Sequence, residues 1–183
     1  IMTPSDEREC QLMLNTGYQL NTPAAVRYPR GSGNGATLPA ISEILEIGKA
    51  NIIRAINDNT QVQSKVAVLN FGTLLTQAKI AAETLNTTLV DMRFVKPLDK
   101  ELIADMATTH QLIVTVEENT VLGGAGSAVN EFLLQENYQI PVLNLGLPDT
   151  FLDHGKVPQM LETAGLDSSS IAKAIQSKLQ ACN

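Results

Sequence analysis

Short, almost wholly apolar runs recur along the last three quarters of the chain. Residues 66–69 (Val-Ala-Val-Leu) and 112–114 (Leu-Ile-Val) are the clearest of these runs, and such runs are typical of strands that are covered on both faces of a sheet. The pattern predicts strands at residues 47–53, 66–71, 88–93, 112–117 and 141–145. Between and after them it predicts helices near residues 74–85, 100–109, 127–135, 157–162 and 168–180.

Strands that alternate with helices at this spacing indicate a parallel sheet with a layer of helices on each face. We therefore expect residues 46–183 to form an α/β domain of three layers, α/β/α, around a mostly parallel five-stranded sheet. Apolar residues make up 44% of the 183-residue chain, which is enough to bury a substantial core.

Residues 1–35 have a different organisation, with one predicted helix and one predicted strand at residues 24–28. Ser5 is the predicted N-cap, because three acidic residues follow it in the first turn, where the helix dipole favours negative charge: Asp6, Glu7 and Glu9. Gly17 is predicted to end this helix, and its packing face is predicted to comprise Leu12, Met13 and Tyr18.

One helix and one strand cannot bury their own apolar surface. We therefore expect residues 1–35 to be the end of another domain, whose sheet lies elsewhere. Residues 36–45 are predicted to be the linker, since glycine, proline and short polar residues are frequent in and around this stretch.

Two arginines frame the end of the strand predicted at residues 24–28. Arg27 and Arg30 should lie on opposite faces of the extended segment, and Pro29 should end the strand. Arg30 then precedes the glycine-rich stretch 31–35, at the edge where open α/β sheets bind ligands. A guanidinium there suits a phosphate or a carboxylate. The alternative is a surface ion pair beside an ordinary turn.

A second glycine-rich stretch, Gly123 to Gly126, precedes the helix predicted at residues 127–135. Its free amides could form an anion site, or its glycines could serve close packing of the helix on the sheet. Glu117 and Glu118 end the preceding strand. Adjacent residues of a strand point in opposite directions, so a cap or a subunit contact is favoured over an acid–base pair that shares a proton.

The remaining charged candidates have mainly structural interpretations. Asp91, Arg93 and Lys96 are expected to form structural ion pairs or a subunit contact. His154 lies in a polar loop and lacks a second histidine at ligand spacing, which makes a metal site a poor explanation. His110 follows a helix and is expected to interact with its carboxyl-terminal dipole.

Composition excludes several functional classes. The net charge of −6, the aromatic content of 4% and the absence of tryptophan argue against a nucleic-acid-binding surface. The sequence has no apolar run of transmembrane length. Cys10 and Cys182 lie near opposite ends of the chain, which fits reduced thiols better than a disulfide framework or a metal site.

Five segments together resemble one family. They are MTPSDE (residues 2–7), AVRYPRG (25–31), VDMRFVKPLD (90–99), VEEN (116–119) and GGAGSAVNE (123–131). In this order they resemble the last third of the 1-deoxy-D-xylulose-5-phosphate synthase family, which depends on thiamine diphosphate and belongs to the transketolase superfamily. The resemblance extends from Met2 to about Lys178. A generic transketolase-like domain would share the architecture without this set of segments.

The resemblance implies a transferase that condenses pyruvate with D-glyceraldehyde 3-phosphate. Carbon dioxide is released, and 1-deoxy-D-xylulose 5-phosphate is formed for isoprenoid, thiamine and pyridoxal synthesis. It also implies that residues 1–35 end a pyrimidine-binding domain, and that residues 46–183 stabilise a homodimer in the cytoplasm, or in a plastid if a transit peptide is missing. Arg30, and as second choice Arg27, would bind the phosphate of the aldehyde substrate.

The same resemblance implies that thiamine diphosphate and Mg²⁺ are bound by other parts of the enzyme. The family's Gly-Asp-Gly motif is absent, and the histidines of this sequence are His110 and His154 alone. We therefore expect no catalytic, cofactor-binding or metal-binding residues here, and a carboxyl-terminal fragment that is inactive without the rest of the enzyme. The alternatives are a transketolase, a β subunit of a 2-oxo acid dehydrogenase, or a non-catalytic module for dimerisation or anion binding.

Overall fold

The computed structural model describes residues 1–56 and 65–182. Its strands are β1 (Asn51–Arg54), β2 (Val66–Phe71), β3 (Thr88–Asp91), β4 (Leu112–Thr120) and β5 (Val142–Leu147). Its helices are α1 (Glu7–Gln19), α2 (Leu75–Leu85), α3 (Lys100–Thr109), α4 (Ala125–Gln135), α5 (Val157–Thr163) and α6 (Ser168–Cys182). No helix within the described residues is long and apolar enough to cross a lipid bilayer.

The five strands form one sheet in the order β1-β3-β2-β4-β5. β2 pairs in parallel with both β3 and β4, and β4 pairs in parallel with β5. β1 alone runs antiparallel, beside β3. The predicted mostly parallel sheet of five strands is therefore confirmed.

Alternation along the central strands divides the core between the two faces of the sheet. Val66 and Val68 of β2 pack with residues of α2 and α6, and we call this side the α2 face. Ala67 and Leu69 pack with residues of α3 and α4 on the other side, the α4 face. Because both faces are covered, β2 and β3 are buried at every position, which confirms the three-layer architecture.

The connections leave β2 and β4 in opposite directions. The chain passes from β2 through α2 to β3 on one side, and from β4 through α4 to β5 on the other. Loops at the carboxyl ends of two such neighbouring strands diverge and leave a crevice between them. The amino-terminal segment of the chain lies at this crevice.

The start of α1 differs from the prediction. Asp6, rather than Ser5, is the N-cap, and its carboxylate accepts a hydrogen bond of 2.8 Å from the amide of Glu9. The Ser5 hydroxyl instead donates to Asp91 Oδ2 at 2.7 Å. A serine whose hydroxyl donates to the last residue of β3 is not available to cap the helix.

The end of α1 also differs, since the helix continues past Gly17 to Gln19. A Cβ atom at Gly17 would lie 3.3 Å from Ala24 Cβ, so this glycine allows the returning chain to approach closely. Leu12 and Met13 are buried as predicted, whereas Tyr18 is 90% exposed.

The strand predicted at residues 24–28 does not form. Val26 makes a single parallel bridge to Met2, and the Met2 and Arg27 amides supply its two hydrogen bonds. Pro23 and Pro29 have no amide hydrogen to donate on either side, and the described residues offer no second neighbouring strand. The segment is extended without being part of a sheet.

β1 begins four residues later than predicted, at Asn51 rather than at residue 47. A turn occupies the preceding residues, in which the Lys49 amide donates to the Glu46 carbonyl and Gly48 has a φ of +74°. The division into residues 1–35, 36–45 and 46–183 stays a prediction.

Candidate functional site

Two cavities flank the crevice between β2 and β4, one on each face of the sheet. The α4-side cavity, of about 680 Å³, is lined by Phe71, the 95–98 segment and the start of α4. The α2-side cavity, of about 500 Å³, is lined by the loop before α2, by part of α5 and by residues 4–7 and 28–34. The amino-terminal segment thus forms a wall of each cavity.

Arg30 lies at the α2-side cavity. Its side chain is exposed and makes no hydrogen bond or ion pair with the described residues. Thr73, Gln77 and Glu118 line the same cavity. A free guanidinium at the wall of a cavity has its full set of donors available for an anion.

Arg27 lies at the α4-side cavity, so the two arginines serve different sides of the crevice. The Arg27 Nη2 atom donates a hydrogen bond of 2.7 Å to the Glu118 carbonyl oxygen. This bond ties the extended segment to the end of β4. Part of the Arg27 donor set is therefore already used, whereas that of Arg30 is not.

The loop after Arg30 is wrapped around a carboxylate. Glu7, in the first turn of α1, accepts hydrogen bonds from the amides of Asn34, Gly35 and Ala36 at 3.1, 2.5 and 3.0 Å. Its own amide, followed by those of Gly35, Asn34 and Ala36, holds the pKa of the Glu7 carboxyl below its ordinary value.

The sequence did not reveal this contact of Glu7. An acidic residue in a first helical turn has a sufficient explanation in the helix dipole. The one signal in the sequence was the glycine-rich stretch 31–35, whose backbone amides need hydrogen-bond acceptors.

A carboxylate of the chain also fills the second glycine-rich turn. The two carboxylate oxygens of Glu117 accept hydrogen bonds from the amides of Ala125 and Gly126, both at 2.8 Å. The amides at the start of α4 are thereby satisfied, so the anion site considered at residues 123–126 is already occupied by the protein itself. Of the two roles predicted for Glu117, a cap or a subunit contact, the structure shows the cap.

Glu118 points to the opposite face of the sheet from Glu117. Its side chain accepts a hydrogen bond from the Thr73 hydroxyl at the α2-side cavity. Because Glu117 lies among the amides of α4, the two carboxylates do not form a pair that shares a proton. This agrees with the sequence interpretation.

A polar cluster joins α1 to the end of β3. Arg93 Nη2 lies 2.7 Å from Glu9 Oε1 in a largely buried ion pair, which confirms the structural role predicted for Arg93. Asp91 is 1% exposed and accepts the hydrogen bond from Ser5. Burial, assisted by the charge of Glu9, raises the pKa of Asp91 to about 7, against the opposing hydrogen bond from Ser5.

Neither His110 nor His154 is among the residues that line the two cavities. His154 is exposed. His110 follows α3, and its ring contacts the Thr88 hydroxyl at 2.9 Å and the Met106 carbonyl at 3.2 Å. Burial lowers the pKa of His110. Its expected place at the carboxyl end of a helix is confirmed.

The described residues do not fit thiamine diphosphate or Mg²⁺. Within residues 1–56 and 65–182 no group of three or more histidine, cysteine, aspartate or glutamate side chains could hold a metal ion. The glycine-rich helix start that could accept a pyrophosphate already holds the Glu117 carboxylate. Cys10 and Cys182 are both free.

Comparison with known proteins identifies related sequences and structures. The family described as "Transketolase, C-terminal domain" matches residues 55–171. The 1-deoxy-D-xylulose-5-phosphate synthase of Yersinia pseudotuberculosis serotype IB (strain PB1/+) is 55% identical over 179 residues, which are 98% of this chain and 28% of the relative. The synthase of Yersinia pestis (strain Pestoides F) is 54% identical with the same coverage.

Among solved structures, a split gene transketolase in an inactive β4 tetramer has a TM-score of 0.79 and 27% identity. The similarity covers all of this chain and 57% of that one. Against the curated synthases described above, the chain spans 28% of their length.

Proposed function

Since the chain belongs to the transketolase carboxyl-terminal domain family, we propose that it serves as the carboxyl-terminal part of a 1-deoxy-D-xylulose-5-phosphate synthase. Such an enzyme condenses pyruvate with D-glyceraldehyde 3-phosphate and releases carbon dioxide. The observation that carries the proposal is 55% identity to a synthase across 98% of the chain. The relatives described are bacterial, which supports a cytoplasmic enzyme and gives no support to the plastid alternative.

We propose that Arg30 binds the phosphate of the aldehyde substrate. Its unpaired guanidinium at the α2-side cavity supports this role. A phosphate held at the unreactive end of the substrate contributes binding energy that positions the aldehyde group. Arg27 is the second candidate, because its hydrogen bond to the Glu118 carbonyl leaves fewer donors for a ligand.

The carbanion chemistry of the proposed reaction would be supplied by thiamine diphosphate with Mg²⁺, bound outside the residues described here. This chain would contribute the arginines, the crevice that carries them and the surface on which the rest of the enzyme packs. The proposed partners are therefore the amino-terminal and pyrimidine-binding domains of the same enzyme, in a homodimer.

The chain by itself is expected to show no synthase activity. Replacing the corresponding carboxyl-terminal part of the Yersinia pseudotuberculosis synthase by this chain is expected to give an active chimera. Both are assayed with pyruvate, glyceraldehyde 3-phosphate, thiamine diphosphate and Mg²⁺. Activity of the isolated chain, or a folded chimera that is active only with a ketose phosphate as donor, would contradict the proposal.

Arg30→Ala in the chimera is expected to raise the KM for glyceraldehyde 3-phosphate by about 10- to 100-fold, since a hydrogen bond to a charged group contributes about 1.5–3 kcal/mol. The KM for pyruvate is expected to change much less, because pyruvate carries no phosphate. Steady-state kinetics with each substrate varied in turn measure both constants.

Arg27→Ala and Lys173→Ala serve as comparisons for Arg30→Ala. Lys173 is exposed on α6, away from both cavities, and its replacement should leave both constants unchanged. Equal increases in KM for the two substrates in Arg30→Ala would contradict the assignment. A selective increase in Arg27→Ala alone would move the phosphate site to the α4-side cavity.

A further inference from the structure

Glu7 lines the same cavity as Arg30. Its carboxylate accepts hydrogen bonds from the loop that follows Arg30. We propose that Glu7 is a positioning residue for Arg30: by anchoring the amides of residues 34–36, it fixes the loop that orients the Arg30 guanidinium at the α2-side cavity. This inference rests on the phosphate-binding role proposed for Arg30.

The geometry around Glu7 is that of a built acceptor site. Three consecutive amides converge on its two oxygens, and a charged acceptor strengthens each hydrogen bond. Gly35 has a φ of +87°, a conformation that side chains disfavour. A Cβ atom at Gly33 would lie 2.4 Å from the carboxyl carbon of Glu7, so the loop passes directly over the carboxylate.

α1 gives Glu7 a fixed position. The buried side chains of Leu12 and Met13 pack the helix against the body of the protein. The ion pair between Glu9 and Arg93 and the cap formed by Asp6 secure its first turn. Glu7 therefore connects a rigid helix to a loop that contains three glycines within five residues, 31–35.

Other contacts hold the chain only beyond this loop. Arg8 donates to the Thr37 carbonyl, and Gln11 donates to the Pro39 carbonyl. Between Arg30 and Ala36, the side chain that accepts hydrogen bonds from the described backbone is that of Glu7. Without this anchor, a glycine-rich loop samples many conformations, and Arg30 must be ordered at the time of binding, which lowers affinity.

Hydrogen exchange of the isolated chain tests the anchor directly. In Glu7→Ala, the amides of Asn34, Gly35 and Ala36 are expected to exchange at least about tenfold faster, because the loop opens more readily. Glu7→Gln keeps one acceptor oxygen and should give an intermediate rate. Exchange is followed residue by residue by NMR, with α1 as the internal reference.

Two glycine variants separate the anchor from the charge of Glu7 on the helix dipole. Gly33→Ala keeps the glutamate but displaces its carboxylate, so it should accelerate exchange at residues 34–36 as Glu7→Ala does. Gly31→Ala is the matched control, since a Cβ atom there meets nothing within 4 Å. Unchanged exchange in Glu7→Ala, or equal effects of the two glycine variants, would overturn the proposal.

Kinetics of the chimera connect the anchor to the substrate. Glu7→Ala should raise the KM for glyceraldehyde 3-phosphate by about 3- to 10-fold, less than the loss of Arg30 itself, and leave kcat and the KM for pyruvate unchanged. In an Arg30→Ala background, Glu7→Ala should have no further effect on this constant. An equal increase in both backgrounds would overturn the proposal.

Hydrogen exchange and chimera kinetics together distinguish the phosphate-binding role of Arg30 from the positioning role of Glu7. If Arg30→Ala does not change the KM for the aldehyde phosphate, the proposed role of Arg30 fails, whatever the exchange rates of the loop. If Arg30→Ala raises this constant and Glu7→Ala accelerates exchange without raising it, the phosphate site stands and the positioning role of Glu7 is wrong.

Discussion

Glu117→Ala is expected to lower the free energy of unfolding by about 4 kcal/mol. Each buried amide that loses its partner costs about 1–3 kcal/mol, and Glu117 satisfies two amides, those of Ala125 and Gly126. Its side chain is buried, at 3% exposure, so water does not readily replace the lost acceptor. Urea denaturation at 25 °C, followed by circular dichroism, measures this loss.

Glu131→Ala is the matched control, because Glu131 is an exposed residue of the same helix, α4. Its replacement should change the free energy of unfolding by less than about 0.5 kcal/mol. Glu117→Gln should lie between the two, since one amide oxygen can still accept a hydrogen bond. If Glu117→Ala and Glu131→Ala are equally stable, the cap contributes nothing to folding.

Asp91→Asn is expected to remove a pH dependence of stability worth about 4 kcal/mol. The folded protein raises the pKa of Asp91 from 3.8 to about 7, and each unit corresponds to about 1.4 kcal/mol. Between these values the folded state holds a proton that the unfolded state releases. The stability that the raised pKa of Asp91 adds to the folded state is therefore fully present below about pH 4. It is lost as the pH rises through the folded-state pKa of about 7.

The side chain at position 91 cannot ionise in Asp91→Asn. The free energy of unfolding of the variant, relative to that of the wild type, should therefore increase as the pH rises from 4 to 7. The groups that face Asp91 are the Ser5 hydroxyl, Glu9 and Arg93, and they are retained in the variant. His110 acts in the opposite direction, because its lowered pKa makes the folded state more stable as the pH rises towards 6.5.

Comparison of the two proteins cancels the contribution of His110 and of the other unchanged groups. Urea denaturation at intervals between pH 4 and pH 8 gives the difference in the free energy of unfolding at each pH. Asp149→Asn, at an exposed loop position, is the control for the loss of one carboxyl group. A difference for Asp91→Asn that does not vary with pH would show that the pKa of Asp91 is not raised in the folded protein.

The central strands could be predicted well from the sequence. β2 was predicted at the residues where it forms, and α3 likewise. Burial on both faces forces β2 and β4 to be apolar at successive positions, and this leaves an unambiguous signature. The mostly parallel sheet then follows from the alternation of such strands with helices.

The edge strand and the amino-terminal segment were harder to predict. β1 is exposed at Asn51, Ile52 and Ile53, so its apolar residues do not form the buried pattern by which a strand is predicted. Nothing in the local sequence determines that β1 runs antiparallel to β3. Residues 24–28 have the composition of a strand, but a strand also needs a neighbour. Among the described residues, Val26 has only the single bridge to Met2.

The candidate site shows the same division between local and distant information. The separation of Arg27 and Arg30 onto two sides follows from local alternation and could be predicted. The partners of Glu7 and Glu117 could not all be predicted, because they depend on where distant backbone amides come to lie. For Glu117, the place at a strand end predicted a cap or a subunit contact without choosing between them. Glu7 meets amides 27–29 residues away.

The polar cluster between α1 and β3 has a consequence for synthesis on the ribosome. Ser5 and Asp91 are separated by 86 residues, and Glu9 and Arg93 by 84. At about 5–20 residues per second, roughly 4–17 s pass between the translation of the two sides. During that interval the apolar face of α1, with Leu12 and Met13, lacks Phe94, which follows β3 and packs in the same cluster. α1 is therefore open to chaperone binding until the segment after β3 has emerged.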